Sequence, residues 1–220
     1  MKTEIKICLP VYKIVYSVLF MILLSLVRGI SFVHEIGIAM QVYVGLLALI
    51  FCADTYETEF QGHRFEVLAL RPLAGRVKAI RRRLLIQFIY LCILSSVGYV
   101  CFYWQSPQSD DSMNPLGLYG IYMAAAAVMV LFWGILSMTL VSVGHNLWTG
   151  IGIALLLWMA LNSSWGDSAL GKWNIFAFTY RDVTDMGNYS WLLGTGIALL
   201  LSVIMAAAIP WTIKKRGMGI

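Results

Sequence analysis

Charge is what this sequence has least of. Only 12% of its 220 residues are Asp, Glu, Lys or Arg, while 60% are hydrophobic and the mean hydropathy is +0.79. A soluble domain carries about 25% charged residues, so the composition excludes an ordinary water-soluble fold and indicates an integral membrane protein. The phosphate-cradling pattern GxxxxGK[ST] is also missing, so the chain has no site of that kind for ATP. The glycines that open GTGIALLL at Gly194 lack the lysine and fall inside an apolar run. Neither a GxSxG elbow nor an HExxH metal-protease motif occurs. The only histidines are His34, His63 and His145, in three different connections, which argues against a shared metal site. The four cysteines, Cys8, Cys52, Cys92 and Cys101, form no CxxC and no Cys/His cluster, so they read as small apolar packing residues.

The interiors of the apolar runs are nearly free of ionisable residues. Such residues are costly at membrane depth and usually mark function, so their scarcity argues against ion or proton coupling within this chain. An intramembrane protease needs carboxylates and histidines converging at that depth. Here Glu57, Glu59 and the His145–Asn146 pair sit at or beyond the ends of runs. No catalytic residue, metal or cofactor is expected in this chain.

What the sequence does have is long apolar runs, and they predict an all-α polytopic membrane protein forming a single transmembrane domain over residues 1–220. Residues 1–13 mix Lys2, Glu4, Lys6 and Lys13 with aliphatics and read as a helix lying in the membrane interface. A signal peptide is the rival reading, but no small-residue cleavage pattern follows Val27. Six spans are expected near 14–32, 36–53, 84–104, 118–141, 147–161 and 191–213. The break between the fourth and fifth falls at Ser142 to Asn146, where Gly144, His145 and Asn146 favour a turn. Residues 162–190 are polar but rich in aromatics and are expected to fold back onto the membrane surface. Small residues at 124–127, Gly150, Gly152, Gly194, Gly196 and 206–208 allow close helix packing, within one bundle or between subunits.

The rest of the chain is organised around residues 54–83, which begin acidic and end basic. Counting Lys and Arg sets the orientation. The N-terminal segment holds three, residues 54–83 hold seven and the tail holds three, so thirteen of sixteen lie on one face. By the positive-inside rule both termini and the 54–83 segment are expected in the cytoplasm of a multi-pass protein of the cell membrane. The net charge of +5 is thus explained by topology, and no nucleic acid partner is expected.

Six spans, a surface helix before the first and a long polar connection between the second and third resemble the ABC-2 type transporter permeases. In that family the connection carries an acidic cluster, then G-T-x-E-x-L-L-x-x-P, then a basic run. Here Glu57, Glu59, Gly62, Glu66, Leu68 and Pro72 follow that order, and Arg81, Arg82 and Arg83 supply the basic run. The Gly-to-Glu interval is one residue longer, and His63 stands where Thr is common. The resemblance implies a coupling helix that docks on a separate ATP-binding cassette ATPase, present in two copies, with ATP and Mg held by that partner. Its contacts would be Glu57, Glu59, Gly62, Arg64, Glu66, Leu68 and Pro72, with His145 at a second, smaller contact. A second permease copy, identical or homologous, would complete the exporter, and residues 162–190 would form re-entrant extracellular helices. Arg28, His34 and Glu35 are the charged residues that would line the path, or else anchor the first hairpin. The apolar, aromatic spans suit a hydrophobic or amphipathic cargo, an antimicrobial peptide first and a drug or lipid second. The alternative is a membrane scaffold or immunity protein that works without a motor.

Overall fold

The computed structural model describes residues 2–57, 72–105, 107–108, 114–181 and 189–217. Pro10 divides the N-terminal segment: α1 spans Lys2–Cys8, and α2 spans Val11–Val27. Helix α1 therefore ends before residue 13, and Lys13 belongs to the first turn of the apolar helix α2. In α2 the inward stripe is Lys13, Ser17, Met21 and Ser25, while Val15, Leu19, Ile22 and Leu23 face outward. This polarity is inverted relative to a soluble helix. Lipid is as apolar as leucine, so small and polar residues make the better helix contacts. Ser17 shares a 2.7 Å hydrogen bond with Tyr90 accordingly.

A short turn leads to α3, Val33–Cys52, where the Glu35 carboxylate accepts from the backbone N–H of Ser31 and Phe32 (3.2 and 3.3 Å). This closes the exposed start of the helix. Helix α4 runs Leu73–Trp104, α5 runs Pro115–Gly144 and α6 runs Leu147–Leu161. The basic run expected in the polar connection is therefore the first two turns and more of α4, continuous with the third apolar run. Asn114 caps α5, with Pro115 at the first helical position where its missing N–H costs nothing. Only His145 and Asn146 separate α5 from α6. His145 takes a left-handed φ of 54°, and the Asn146 side chain accepts from Trp148 N (2.9 Å).

Helices α3 and α5 form the centre. Gly45 admits the buried Trp133 and Gly37 admits Tyr122. Helix α2 covers α4 at one edge, α6 covers α5 at the other, and the last helix, α8 (Trp191–Gly217), packs on α4 and α5. After α6 the chain bends by 69° into α7, Ser164–Leu170, and a short turn at Gly171–Trp173. Residues 174–178 then turn into the bundle and are all buried. Phe176 stacks on Trp133, and Thr179 donates to Gln41 of α3 at 2.7 Å. So the segment expected on the surface instead inserts part of itself between the helices. Phe176 and Phe178 of this segment are buried, whereas Trp165 and Trp173 are exposed.

Among the described residues four helices are long and apolar enough to cross a membrane: Val33–Cys52, Leu73–Trp104, Pro115–Gly144 and Trp191–Lys214. The bent pair Leu147–Leu161 and Ser164–Trp173 makes a fifth if it is one span, and Val11–Val27 is apolar but shorter, at 17 residues. Among the described residues the only strand-like feature is a bridge between Phe32 and Gln108.

Candidate functional site: a charged knot at the basic end

Among the described residues the two buried charged side chains, Lys13 and Arg83, lie at one end, where α1, α2, α3 and α4 come together. Lys13 is 4% exposed. Its ammonium donates to the Phe51 carbonyl (2.8 Å), pairs with the Asp54 carboxylate, and lies 4.9 Å from the centre of the Phe51 ring. These contacts have one cause. The last turn of α3 leaves carbonyls without N–H partners and carries the negative end of the helix dipole, so a cation placed there is held by both. Thr55 extends the arrangement, its hydroxyl lying 2.7 Å from the Cys52 carbonyl and 2.7 Å from the Gln87 amide of α4. Four residues before Gln87 on α4, the buried Arg83 donates from Nε to the Glu4 carboxylate of α1 (2.8 Å).

The charges balance within the knot: Glu4 and Asp54 against Lys13 and Arg83. Lys13, Asp54, Thr55, Arg83, Gln87 and Cys8 help enclose a space of about 10 Å³, the lower limit for a single water. Burial pushes the Cys8 thiol up to about 11, with Arg83 opposing the shift. The thiol is therefore protonated near neutral pH and is a poor nucleophile. No base stands beside a nucleophile here, and among the described residues no three of His, Cys, Asp or Glu group as metal ligands. The arrangement is a clamp. Asp54 and Thr55 begin the connection between α3 and α4, and Arg83 and Gln87 lie about three turns and more into α4, so the end of α3 and the first part of α4 are tied to α2, to α1 and to each other.

The residues expected to couple to a motor fall mostly outside the described chain. Glu59, Gly62, Arg64, Glu66 and Leu68 lie there; Glu57 is the last described residue before that stretch, and Pro72 caps the start of α4. His145 is exposed in the turn between α5 and α6, at the same end of the bundle as the knot. Arg28, His34 and Glu35 are at the opposite end, in and around the turn between α2 and α3. There Arg28 donates to the Tyr43 hydroxyl (3.1 Å), His34 stacks on Phe32 (5.3 Å) and Glu35 caps α3. Each of the three thus makes a local contact in or beside the first hairpin.

Sequence reasoning placed Lys13 in the N-terminal surface segment and Arg83 in the basic run, counted both as topological charges, and passed over Glu4, Asp54, Thr55 and Gln87 as a group. A signal existed. Gln87 is the one amide in the apolar run 84–104, and Lys13 stands directly against an uninterrupted apolar run. Comparison with known proteins yields no match: no family model, no curated protein and no solved structure is similar to this chain.

Proposed function

We propose that the chain is the membrane-spanning subunit of an ABC-2 type exporter, with six spans and both termini in the cytoplasm. Two copies, or one copy and a homologue, would work with two ATPase subunits that bind ATP and Mg. The observation that carries this reading is the clamp: α3 and α4, the helices that flank the polar connection, are tied to each other and to α1 and α2 by Lys13–Asp54, Thr55–Gln87 and Arg83–Glu4. A docked segment transmits force only when its roots are rigid, and here a push on residues 58–71 would reach α1, α2, α3 and α4 together. Rigid-body re-packing of helices is a common way to convert such a push into alternating states. The cargo in this reading is a hydrophobic or amphipathic molecule, an antimicrobial peptide before a drug or lipid. The chain itself performs no catalysis.

The test is purification of the tagged chain from its native membrane in mild detergent, with bound proteins identified by mass. A stoichiometric cassette ATPase is expected, and Glu59→Lys with Glu66→Lys should reduce its recovery by at least about tenfold, as charge reversal at a docked surface does. Recovery of the wild-type chain alone would sink the exporter reading in favour of a motor-free scaffold or immunity protein. An unchanged yield from the double variant would remove the docking role of those carboxylates.

A further inference from the structure

The basic run of α4 divides into two faces. At 100° per residue, Arg76 and Arg83 share one side and Lys78, Arg81 and Arg82 share another. Arg83 turns inward to Glu4, whereas Lys78, Arg81 and Arg82 are exposed and none of the three has a carboxylate partner among the described residues. They stand at the mouth of two adjoining hollows. One, of about 370 Å³, lies between α4, α5 and α8 and is walled by apolar side chains such as Leu84, Phe88, Leu131 and Ile135. The other, of about 640 Å³, runs along α4 past Lys78 and Arg82 to Pro210 of α8. Arg81 and Leu85 line both, so the apolar recess opens directly onto the cationic face.

The position of Arg81 has a covalent origin. Pro210 has no N–H, so the Ala206 carbonyl one turn earlier in α8 loses its helical partner. Arg81 Nη2 donates to that carbonyl at 3.4 Å. One donor of the guanidinium is thereby spent on α8, and its remaining donors are held at the rim of the recess. From Arg81 to Phe88 the recess extends about 10 Å along α4 towards the middle of the bundle, by the rise of 1.5 Å per residue.

We propose that this recess and its rim form a binding site for an anionic phospholipid, one acyl chain lying against Leu84, Phe88 and Leu131 and the phosphate on Lys78, Arg81 and Arg82. Charge decides the occupant. A second copy joined through the same patch on both subunits would bring six cations together. A neutral lipid would leave three cations unpaired. An anionic headgroup over an acyl chain matches both halves of the surface, and basic clefts between helices on the cytoplasmic side are suited to such headgroups. The site does not depend on the exporter reading.

The experiment is native mass spectrometry of the detergent-purified full chain after mixing with phosphatidylglycerol or with phosphatidylcholine of the same acyl chains. One phosphatidylglycerol per chain should be retained preferentially. Lys78→Gln, Arg81→Gln and Arg82→Gln combined should cut that preference by about a hundredfold, at about fivefold per cation. Lys172→Gln at the other end of the bundle should leave it intact. Ala206→Trp, which fills the recess without changing charge, should reduce retention while the three cations remain, and free glycerol phosphate should not compete. Equal retention of the two lipids, or an unchanged preference in both the triple variant and Ala206→Trp, would overturn the proposal. So would competition by glycerol phosphate, or loss of a dimer mass in place of a lipid mass.

Discussion

At the scale of single residues, the pairing of Lys13 with Asp54 ties α2 to the end of α3 through a buried charge. Lys13 is 4% exposed and its partner's side chain 19%. A buried ion pair contributes little over an apolar pair of the same shape, because desolvation offsets the attraction. Removing one partner is another matter, since it strands a charge and costs about 3–5 kcal/mol. Lys13→Met alone should therefore destabilise the purified protein by about 3 kcal/mol, and Asp54→Asn should cost at least as much, because the charge it strands, Lys13, is the more deeply buried of the two. The double variant Lys13→Met with Asp54→Asn should recover at least about 1 kcal/mol of the summed loss, since it leaves no orphan charge. Denaturant titration in detergent followed by tryptophan fluorescence measures all three. Strict additivity would mean that the two side chains act independently and that the knot is not one unit.

At the scale of helices, glycines separate close contact from open surface. A Cβ on Gly194 of α8 would lie 1.9 Å from the Asn174 carbonyl, and one on Gly150 of α6 would lie 2.6 Å from the backbone of Val141. Gly152 and Gly196, two residues further along the same helices, meet nothing within 4 Å. Gly194→Ala should therefore lower stability by about 1–3 kcal/mol through overpacking, and Gly196→Ala should stay within about 0.5 kcal/mol. Thermal melts of the two variants in one detergent compare them directly; equal melting temperatures would mean that the inserted segment 174–178 does not rest on α8. These contacts also mark what the sequence made legible. Apolar runs disclosed the helices, and SVGHN disclosed the turn between α5 and α6, because both signals are local. Which glycine of each pair faces a neighbour was not legible, since both stand in similar apolar surroundings and only tertiary placement distinguishes them. The inward course of residues 174–178 was hidden for the same reason: Phe176 and Phe178 read equally well as an interfacial belt. The knot was the least legible part. Lys13 and Asp54 are 41 residues apart, and Glu4 and Arg83 are 79 apart. In sequence, Lys13 has the same value as Lys2 or Lys6: one positive charge near the start of an apolar run.

At the scale of the whole molecule, the arrangement of the ends decides between span counts. Lys6 and Lys214 are exposed near the two termini, and Ser168 is exposed on α7 beyond the bend after α6. The four long helices, the bent pair and the 17-residue α2 make six passages only if α2 crosses completely. At 1.5 Å per residue α2 is about 25 Å long, short of a hydrocarbon core of about 30 Å. Its neighbours relieve the mismatch. Lys13 needs no lipid headgroup, because Asp54 and the Phe51 carbonyl hold it within protein, and at the far end the Gln105 amide donates to the Ser25 carbonyl at 2.7 Å. A short helix sealed by partners at both ends can cross where an isolated one would not. In a background with Cys8, Cys52, Cys92 and Cys101 replaced by Ser, single cysteines at these sites should therefore report six spans. Lys6→Cys and Lys214→Cys should react with a membrane-impermeant maleimide only in inside-out vesicles, and Ser168→Cys only in right-side-out cells. Labelling of Lys6→Cys from the outside, with Lys214→Cys still labelled only in inside-out vesicles and Ser168→Cys only in right-side-out cells, would give five spans and leave α2 lying in one leaflet. The clamp at Lys13 would then close on a surface helix, and the lever reading of residues 58–71 would lose the hairpin through which it acts.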